Sequence, residues 1–454
     1  MATNKIVSPL TEDRLALFPD STRIQNNSLT IAGRTLGSLA DEYGTPLYIY
    51  DRATMDASVE DYKAGLQGHY PSLSEITYAG KAFFCKAIAE WSQQQGLWVD
   101  CTGEVEIAIA EAGCVPRNKI LMHGVNKSIA DLNYAMQHAG TIVVDNLTEL
   151  NRLASLFNEL GFNPELRPGR GEFPDLWLRL QPGIAVETHH VHTQTGQSDS
   201  KFGMTPSEII EAANICRSSK LPLTGLHFHQ GSNFRNPSPL ASAIELALDL
   251  IHEIGFHEPW HFCPGGGWGT AYHEDELPQP NIEEYVGVIV EKVTEKCHAT
   301  GLTLPILHIE PGRSLIARAG VALYRIGAVK RRGDRTWVLI DGGMVDNPRH
   351  AMYGSRYSCL TAAGLNREMN ERVSMAGPYC ESGDVIIEDL PMPKVEEGEL
   401  IAIPVSGAYH LSMASNYNGA RRPAVVWLEE GKSTIIVRRE TTEDLIRRDL
   451  SIPK

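Results

Sequence analysis

Several residues of this chain stand where strand-like runs end, and together they describe one chemistry. Lys81 closes ITYAGK (76–81) among apolar neighbours, Ile76, Tyr78, Ala79 and Ala82. That is a costly setting for an ammonium unless the nitrogen is put to use. Gly265, Gly266 and Gly267 follow WHFC (260–263). Consecutive glycines let backbone N–H groups close on an anion, most often a phosphate. HFHQGSN (227–233) adds a second small-residue turn, Gly231–Ser232, and two imidazoles, His227 and His229. IEPGR (309–313) sets Glu310 beside Arg313, and Asp100 ends LWVD. Taken singly, these read as turn glycines, a surface ion pair and loop histidines. Taken together, they supply a lysine for a Schiff base, a phosphate cradle, an acid to keep a ring nitrogen protonated and an imidazole. That set points to pyridoxal phosphate.

Such a set needs a scaffold that brings many strand ends to one place. From about 45 to 315, short apolar runs alternate with helical patterns: ITYAGK, LWVDCT, KILMHG, TIVVDN, LWLRLQP, LTGLHFH, WHFCPGG and PILHIEP, preceded by PLYIYD at 46–51. Phe84, Ala87, Ile88 and Trp91 fall at i, i+3, i+4 and i+7, and Leu132, Met136 and Ala139 share a face within 126–140. Repeated strand–helix units favour an α/β fold of the (β/α)8, TIM-like kind over an open sheet. In that barrel reactive groups sit at the C-terminal strand ends. Beyond about 320 the rhythm shifts to VALYRIGAVK, TWVLIDGG, DVIIEDL, ELIAIPV, AVVWLEE and STIIVRRE, closely spaced. This predicts a C-terminal all-β domain, a sandwich or a Greek-key-like barrel. The expected organisation is an N-terminal segment at 1–44 that adds to the β domain, a barrel at 45–315 and the β domain at 316–454. NPELRPGRGEFPD (163–175) reads as a surface insertion.

The balance of 41 basic against 56 acidic residues argues against nucleic-acid and anionic-membrane partners. No run approaches the roughly 20 apolar residues of a membrane span, and the N-terminus lacks a signal-peptide core. Eight cysteines without CxxC spacing read as reduced thiols in a cytoplasmic protein. ETHHVHTQ (187–194) groups His189, His190 and His192 with neither HExxH nor a cysteine pair at ligand spacing. A polar loop, and no metal, is the expectation there.

In chain order, YAGKAF (78–83), HGVNKS (123–128), VDN and EL within 144–150, SKFGM (200–204), GLHFHQGS (225–232), GGGWG (265–269), EPGRS (310–314), DGGM (341–344), GPYCESGD (377–384) and GAYHLSMASNYNG (407–419) resemble the fold-type III pyridoxal-phosphate decarboxylases. The resemblance runs from about 30 to 445 and is strongest to the diaminopimelate branch of that family. It implies a head-to-tail homodimer with active sites at the subunit interface. It makes Lys81 the Schiff-base lysine and lays His229 on the cofactor ring. Ser232, the 265–267 glycines, Arg313 and Tyr409 would surround the phosphate, Glu310 would face the ring nitrogen, and Asp100 would lie on the ring-hydroxyl side. Cys380, from the other subunit, would protonate the product carbon.

The diaminopimelate branch must also hold a second amino-acid head. The resemblance gives Arg313 and Arg349 to its carboxylate, with a hydroxyl from Tyr353, and Glu381 to its ammonium, with Tyr409 nearby. It implies conversion of meso-2,6-diaminopimelate to L-lysine and CO2. The sequence departs from the family in MVDNPRHAMY (344–353), where the pattern reads like MNDLIRPALY, although Arg349 and Tyr353 keep their register. YNGARRPA (417–424) also departs. Ornithine, lysine, arginine or a carrier-bound glutamyl group stay open as substrates. So does amino-acid racemisation, which would release no CO2.

Overall fold

The computed structural model describes residues 8–161, 173–184, 195–197, 199–256 and 258–453. His189, His190, His192 and most of the 163–175 insertion lie outside them. The chain divides into two compact units: 58–269 with 280–314, and the chain up to Ala57 with 270–279 and everything from Leu315 on.

In the first unit each strand-like run between 74 and 309 becomes a parallel strand: Ser74–Ala79, Trp98–Cys101, Ile120–Met122, Thr141–Val144, Asp175–Leu180, Leu223–Phe228, His261–Cys263 and Ile306–Ile309. Each pairs with the next, and Ile306–Ile309 returns to Ser74–Ala79, which closes the barrel. The helices between them are amphipathic. Lys86–Gln94 buries Ile88, Ala89, Trp91 and Ser92. Ile129–His138 starts on a capping box, Ser128 with Asp131, and buries Leu132, Ala135 and Met136. Ser238–Ile254 and Ile282–Thr300 both stop at a glycine in the left-handed region, Gly255 (φ 72°) and Gly301 (φ 73°).

The barrel interior holds an aromatic layer. Trp177 stacks on His261 at 5.2 Å, and His261 Nδ1 lies 2.9 Å from His308 Nε2. Trp98 meets His308 edge-on at 4.8 Å. Gly225 makes room for this layer, because a Cβ there would stand 2.6 Å from the Trp177 ring.

The second unit is built on a nine-stranded sheet of mixed direction. Its long strand Gly320–Arg332 pairs through its first half with Leu47–Asp51 and Leu400–Ile403, and through its second half with Arg335–Ile340. Leu47–Asp51, buried at all five positions, also runs parallel to Ala424–Glu429. The strand that precedes the barrel runs in sequence is thus a strand of this sheet. Glu371–Ala376 lies between Arg335–Ile340 and Val385–Met392. Arg23–Gln25, Ser28–Ile31 and Arg34–Thr35 form a three-stranded sheet, tied on where the Leu29 N–H donates to Ala362 O at 2.8 Å. Leu29, Ile31, Leu47, Ile49, Val321, Leu323, Leu360 and Val426 share one apolar core.

Candidate active site

Lys81 sits in a single 3-10 turn, Gly80–Ala82, directly after the first barrel strand. Tyr78 holds that turn by donating to Phe83 O and packing edge-on against Trp91 at 5.9 Å. The flanking Ile76, Tyr78, Ala79 and Ala82 are buried, but the Lys81 side chain is 48% exposed. Its ammonium therefore escapes the desolvation its neighbours imply, because the turn carries it out of the strand's register. Its Nζ lies 3.5 Å from Asp100 Oδ2. Lys86, by contrast, is a surface charge 3.6 Å from Glu90.

Glu310, 4% exposed, is the hub of a buried triad. Its Oε1 lies 3.1 Å from His123 Nε2 and its Oε2 lies 3.0 Å from His227 Nε2. Burial works against its charge, but the two imidazoles outweigh burial and hold the carboxyl well below the usual carboxylate range. Burial pushes His227 down to about 4, so this imidazole is neutral at physiological pH and gives its Nε2 hydrogen to Glu310. Donor atoms of His123, His227 and Glu310 lie within 4.8 Å of one another, close enough to bind a metal ion. Here each imidazole bonds the carboxylate directly. His123 also stands 3.8 Å from Asp100 Oδ1, a buried oxygen with no hydrogen-bond partner among the described residues.

His229 accepts from the Gly266 N–H on Nδ1 at 3.3 Å. That bond needs an unprotonated Nδ1, in keeping with burial, Lys81 and Arg179 holding this imidazole well below its ordinary range. The glycine turn and the Gly231–Ser232 turn are laced together. A Cβ on Gly267 would stand 2.0 Å from Gly231 O, and one on Gly266 1.8 Å from Glu310 O. The glycines are thus demanded by backbone packing between strand ends as well as by any anion. Arg313, 4% exposed, donates to Ser232 Oγ at 3.0 Å.

Three quoted motifs prove to be support. Lys127 of HGVNKS donates to Glu149 at 2.7 Å and to Val143 O at 2.7 Å. Burial lowers its pKa against the pull of Glu149. Asp145 takes the Gly203 N–H of SKFGM at 3.1 Å and lies 3.7 Å from Arg179, which packs over Phe202 at 4.8 Å. His123 and Arg179, like Lys127, Asp145 and Glu149, were given no role by sequence reasoning. His123 stood in the sequence only as a member of KILMHG and the first residue of HGVNKS.

The remaining expected residues belong to the second unit. Arg349, 2% exposed, lies 5.5 Å from the Tyr353 ring and 5.9 Å from the Tyr409 ring. It forms no ion pair with a carboxylate among the described residues. Cys380 is exposed on a turn. Its N–H donates to Asn418 Oδ1 at 2.9 Å, and Tyr417 Oη donates to its carbonyl at 3.4 Å. Asp384 ties that turn to DGGM by accepting from Tyr379 N at 2.9 Å and Met344 N at 2.7 Å. Glu381 Oε1 accepts from Gly383 N at 3.2 Å.

The barrel-end set suits pyridoxal phosphate. Arg313, Ser232 and the glycine N–H groups suit a dianionic phosphate, ionised Glu310 suits a protonated ring nitrogen, and the Lys81 amine suits an aldehyde carbon. Asp100 Oδ1 awaits a donor. Residues 56–317 match the pyridoxal-binding domain of the pyridoxal-dependent decarboxylases. The chain belongs to that family and is a pyridoxal-phosphate-dependent decarboxylase. Among characterised proteins it is 37% identical to the diaminopimelate decarboxylase of Bacillus subtilis, over 96% of this chain and 98% of that one. It is 36% identical to that of Synechocystis, over 94% and 91%. The diaminopimelate decarboxylase structure from M. jannaschii superposes with a TM-score of 0.86 at 28% identity, covering 97% of this chain and 99% of that one. The Helicobacter pylori enzyme complexed with L-lysine superposes at 0.81 with 26% identity, over 90% and 98%. No helix among the described residues is long and apolar enough to cross a membrane.

Proposed function

We propose that this enzyme decarboxylates meso-2,6-diaminopimelate to L-lysine and CO2, the last step of lysine biosynthesis, as a cytoplasmic homodimer. The observation that carries the reading is Arg349, a buried guanidinium with no carboxylate partner among the described residues. A buried guanidinium with no carboxylate placed directly against it is suited to an anionic ligand. The distal carboxylate of a dicarboxylic amino acid is that anion, gripped by Arg349 with Tyr353. Decarboxylation of ornithine or lysine has no such group to bind.

The bound cofactor supplies the electron sink for the carbanion left by loss of CO2. Lys81 Nζ would hold the cofactor through its aldehyde carbon, as the amine at the end of the first barrel strand. Glu310, held ionised by His227 and His123, would keep the ring nitrogen protonated. His229, held in its neutral form by burial, Lys81 and Arg179, would lie against the cofactor ring. Arg313, Ser232 and the turn of the 265–267 glycines would hold the phosphate. Asp100, with Oδ1 buried and without a hydrogen-bond partner among the described residues, would accept a hydrogen bond from the ring-hydroxyl side. Cys380 Sγ, from a second copy of the chain, gives a proton to the carbon that lost CO2, and Glu381 takes the distal ammonium with Tyr409 nearby. The exposure of Cys380 in the single chain supports that placement.

The test is incubation of the loaded enzyme with meso-diaminopimelate, lysine, ornithine and arginine, following CO2 and product. Release of CO2 and L-lysine from the first substrate alone is expected. Faster CO2 release from ornithine or lysine would overturn the substrate, and isomerised substrate without CO2 would overturn the reaction.

A further inference from the structure

Arg349 is held from behind by a chain of buried polar side chains. Its Nε–H donates to Tyr357 Oη at 3.1 Å and its Nη2 to Ser355 Oγ at 3.3 Å. Tyr357 Oη lies 3.0 Å from His410 Nε2. The other imidazole nitrogen, Nδ1, lies 3.5 Å from Tyr48 Oη. Tyr48 Oη reaches Asp346 Oδ2 at 3.1 Å, and Tyr324 reaches the same oxygen at 2.5 Å. Asp346 Oδ1 accepts from the Gly343 N–H at 2.9 Å. Arg349, Tyr357, His410, Tyr48, Tyr324 and Asp346 are each at most 2% exposed.

A polar series this deep costs stability unless every member is satisfied, and a fully satisfied one holds a single geometry. One placement of protons satisfies the series. Arg349 Nε–H donates to Tyr357, Tyr357 O–H to His410 Nε2, His410 Nδ1–H to Tyr48, and Tyr48 O–H to Asp346. Every bond then points from the guanidinium to the carboxylate. A carboxylate placed directly against Arg349 would occupy the edge a substrate must use. Reached through this series, the anion holds the guanidinium by Nε, and Nη1 makes no hydrogen bond to the protein among the described residues.

We infer that Tyr357, His410, Tyr48 and Asp346 form a relay of positioning residues that sets the plane of Arg349 for a substrate carboxylate, and with it the preference for a dicarboxylic amino acid. The inference rests on the reading of Arg349 given under the proposed function. None of the four need touch substrate; each acts through Arg349.

The test is a double-mutant cycle on the cofactor-loaded enzyme with meso-diaminopimelate, alongside thermal unfolding of each variant. Tyr357→Phe keeps the ring and removes only the hydroxyl. It is expected to raise KM about tenfold, the worth of one hydrogen bond to a charged group, while kcat falls less. On an Arg349→Gln background the same change should add nothing, because the relay then has nothing to orient. Tyr48→Phe, three bonds away, should raise KM in the same direction by a smaller factor. Equal KM in Tyr357→Phe and the parent, or a further rise in the double variant, would overturn the relay and leave Arg349 as the carboxylate ligand. An unchanged KM in Arg349→Gln would instead sink that reading and the relay with it. A purely structural role would lower the unfolding temperature without moving KM.

Discussion

At the scale of single residues, the sharpest feature is the triad His123–Glu310–His227. It keeps one ionised carboxylate, and a neutral imidazole at His227, in a place where charge is expensive. The same arrangement makes stability depend on pH. Burial holds the folded-state pKa of His227 at about 4, below its ordinary 6.5. An imidazole depressed on folding contributes stability that is complete above the unfolded value and lost as pH falls toward the folded one. The window is therefore about 6.5 down to 4, worth roughly 3 kcal/mol for this group. His229 and His308, both depressed by burial, act in the same direction. Glu310, held low, adds a loss below the ordinary carboxylate range. The urea midpoint of the apoenzyme should fall steeply from pH 6.5 to 4, and His227→Gln should flatten part of that fall. A midpoint that stays level, or rises, on acidification would contradict the arrangement. The sequence marked Glu310 and His227 as strand-end residues, but nothing in it said that His123, more than a hundred residues from Glu310, closes the triad. Only barrel closure brings those strand ends together.

At the scale of elements, hydrophobic periodicity located every barrel strand, because a buried parallel strand must read as a short apolar run wherever it occurs. What it left out has physical reasons. Glu371–Ala376 carries charge at its start and buries only Val373, Ser374 and Met375, too brief a signal beside the louder runs around it. Leu47–Asp51 reads like a barrel strand because a strand buried at all positions looks alike in either sheet. The interior layer of Trp98, Trp177, His261 and His308 was illegible because two indoles and two imidazoles do not announce a core. Its key is Gly225, whose missing Cβ is the space that Trp177 fills. Gly225→Ala should lower stability by about 1–3 kcal/mol through overpacking, measured as a shift in denaturant midpoint with unchanged slope. Trp177→Phe on the same background should recover part of the loss. A neutral Gly225→Ala would mean that the layer yields more easily than close packing allows.

For the whole molecule, the residues given catalytic work fall in two compact units of one chain, Lys81, His229 and Glu310 in one and Cys380 in the other. In the proposed homodimer each active site takes Lys81 from one copy and Cys380 from its partner. Symmetry then fixes what happens when two dead enzymes are mixed. A Lys81→Ala homodimer has two sites without the amine, and a Cys380→Ala homodimer has two without the thiol. A mixed dimer has one site lacking both and one lacking neither. Equal amounts, exchanged at random, give half mixed dimers with one working site of two, so about a quarter of wild-type CO2 release should return. The recovered activity should track the mixed-dimer fraction, followed by a mass tag on one chain. Mixing that forms such dimers yet restores no activity would mean that Lys81 and Cys380 serve a site within one chain, and the interface placement of Cys380 would fall. Because each variant is inactive alone and intact in the other's residue, recovery cannot come from either parent, and the experiment reads the assembly directly.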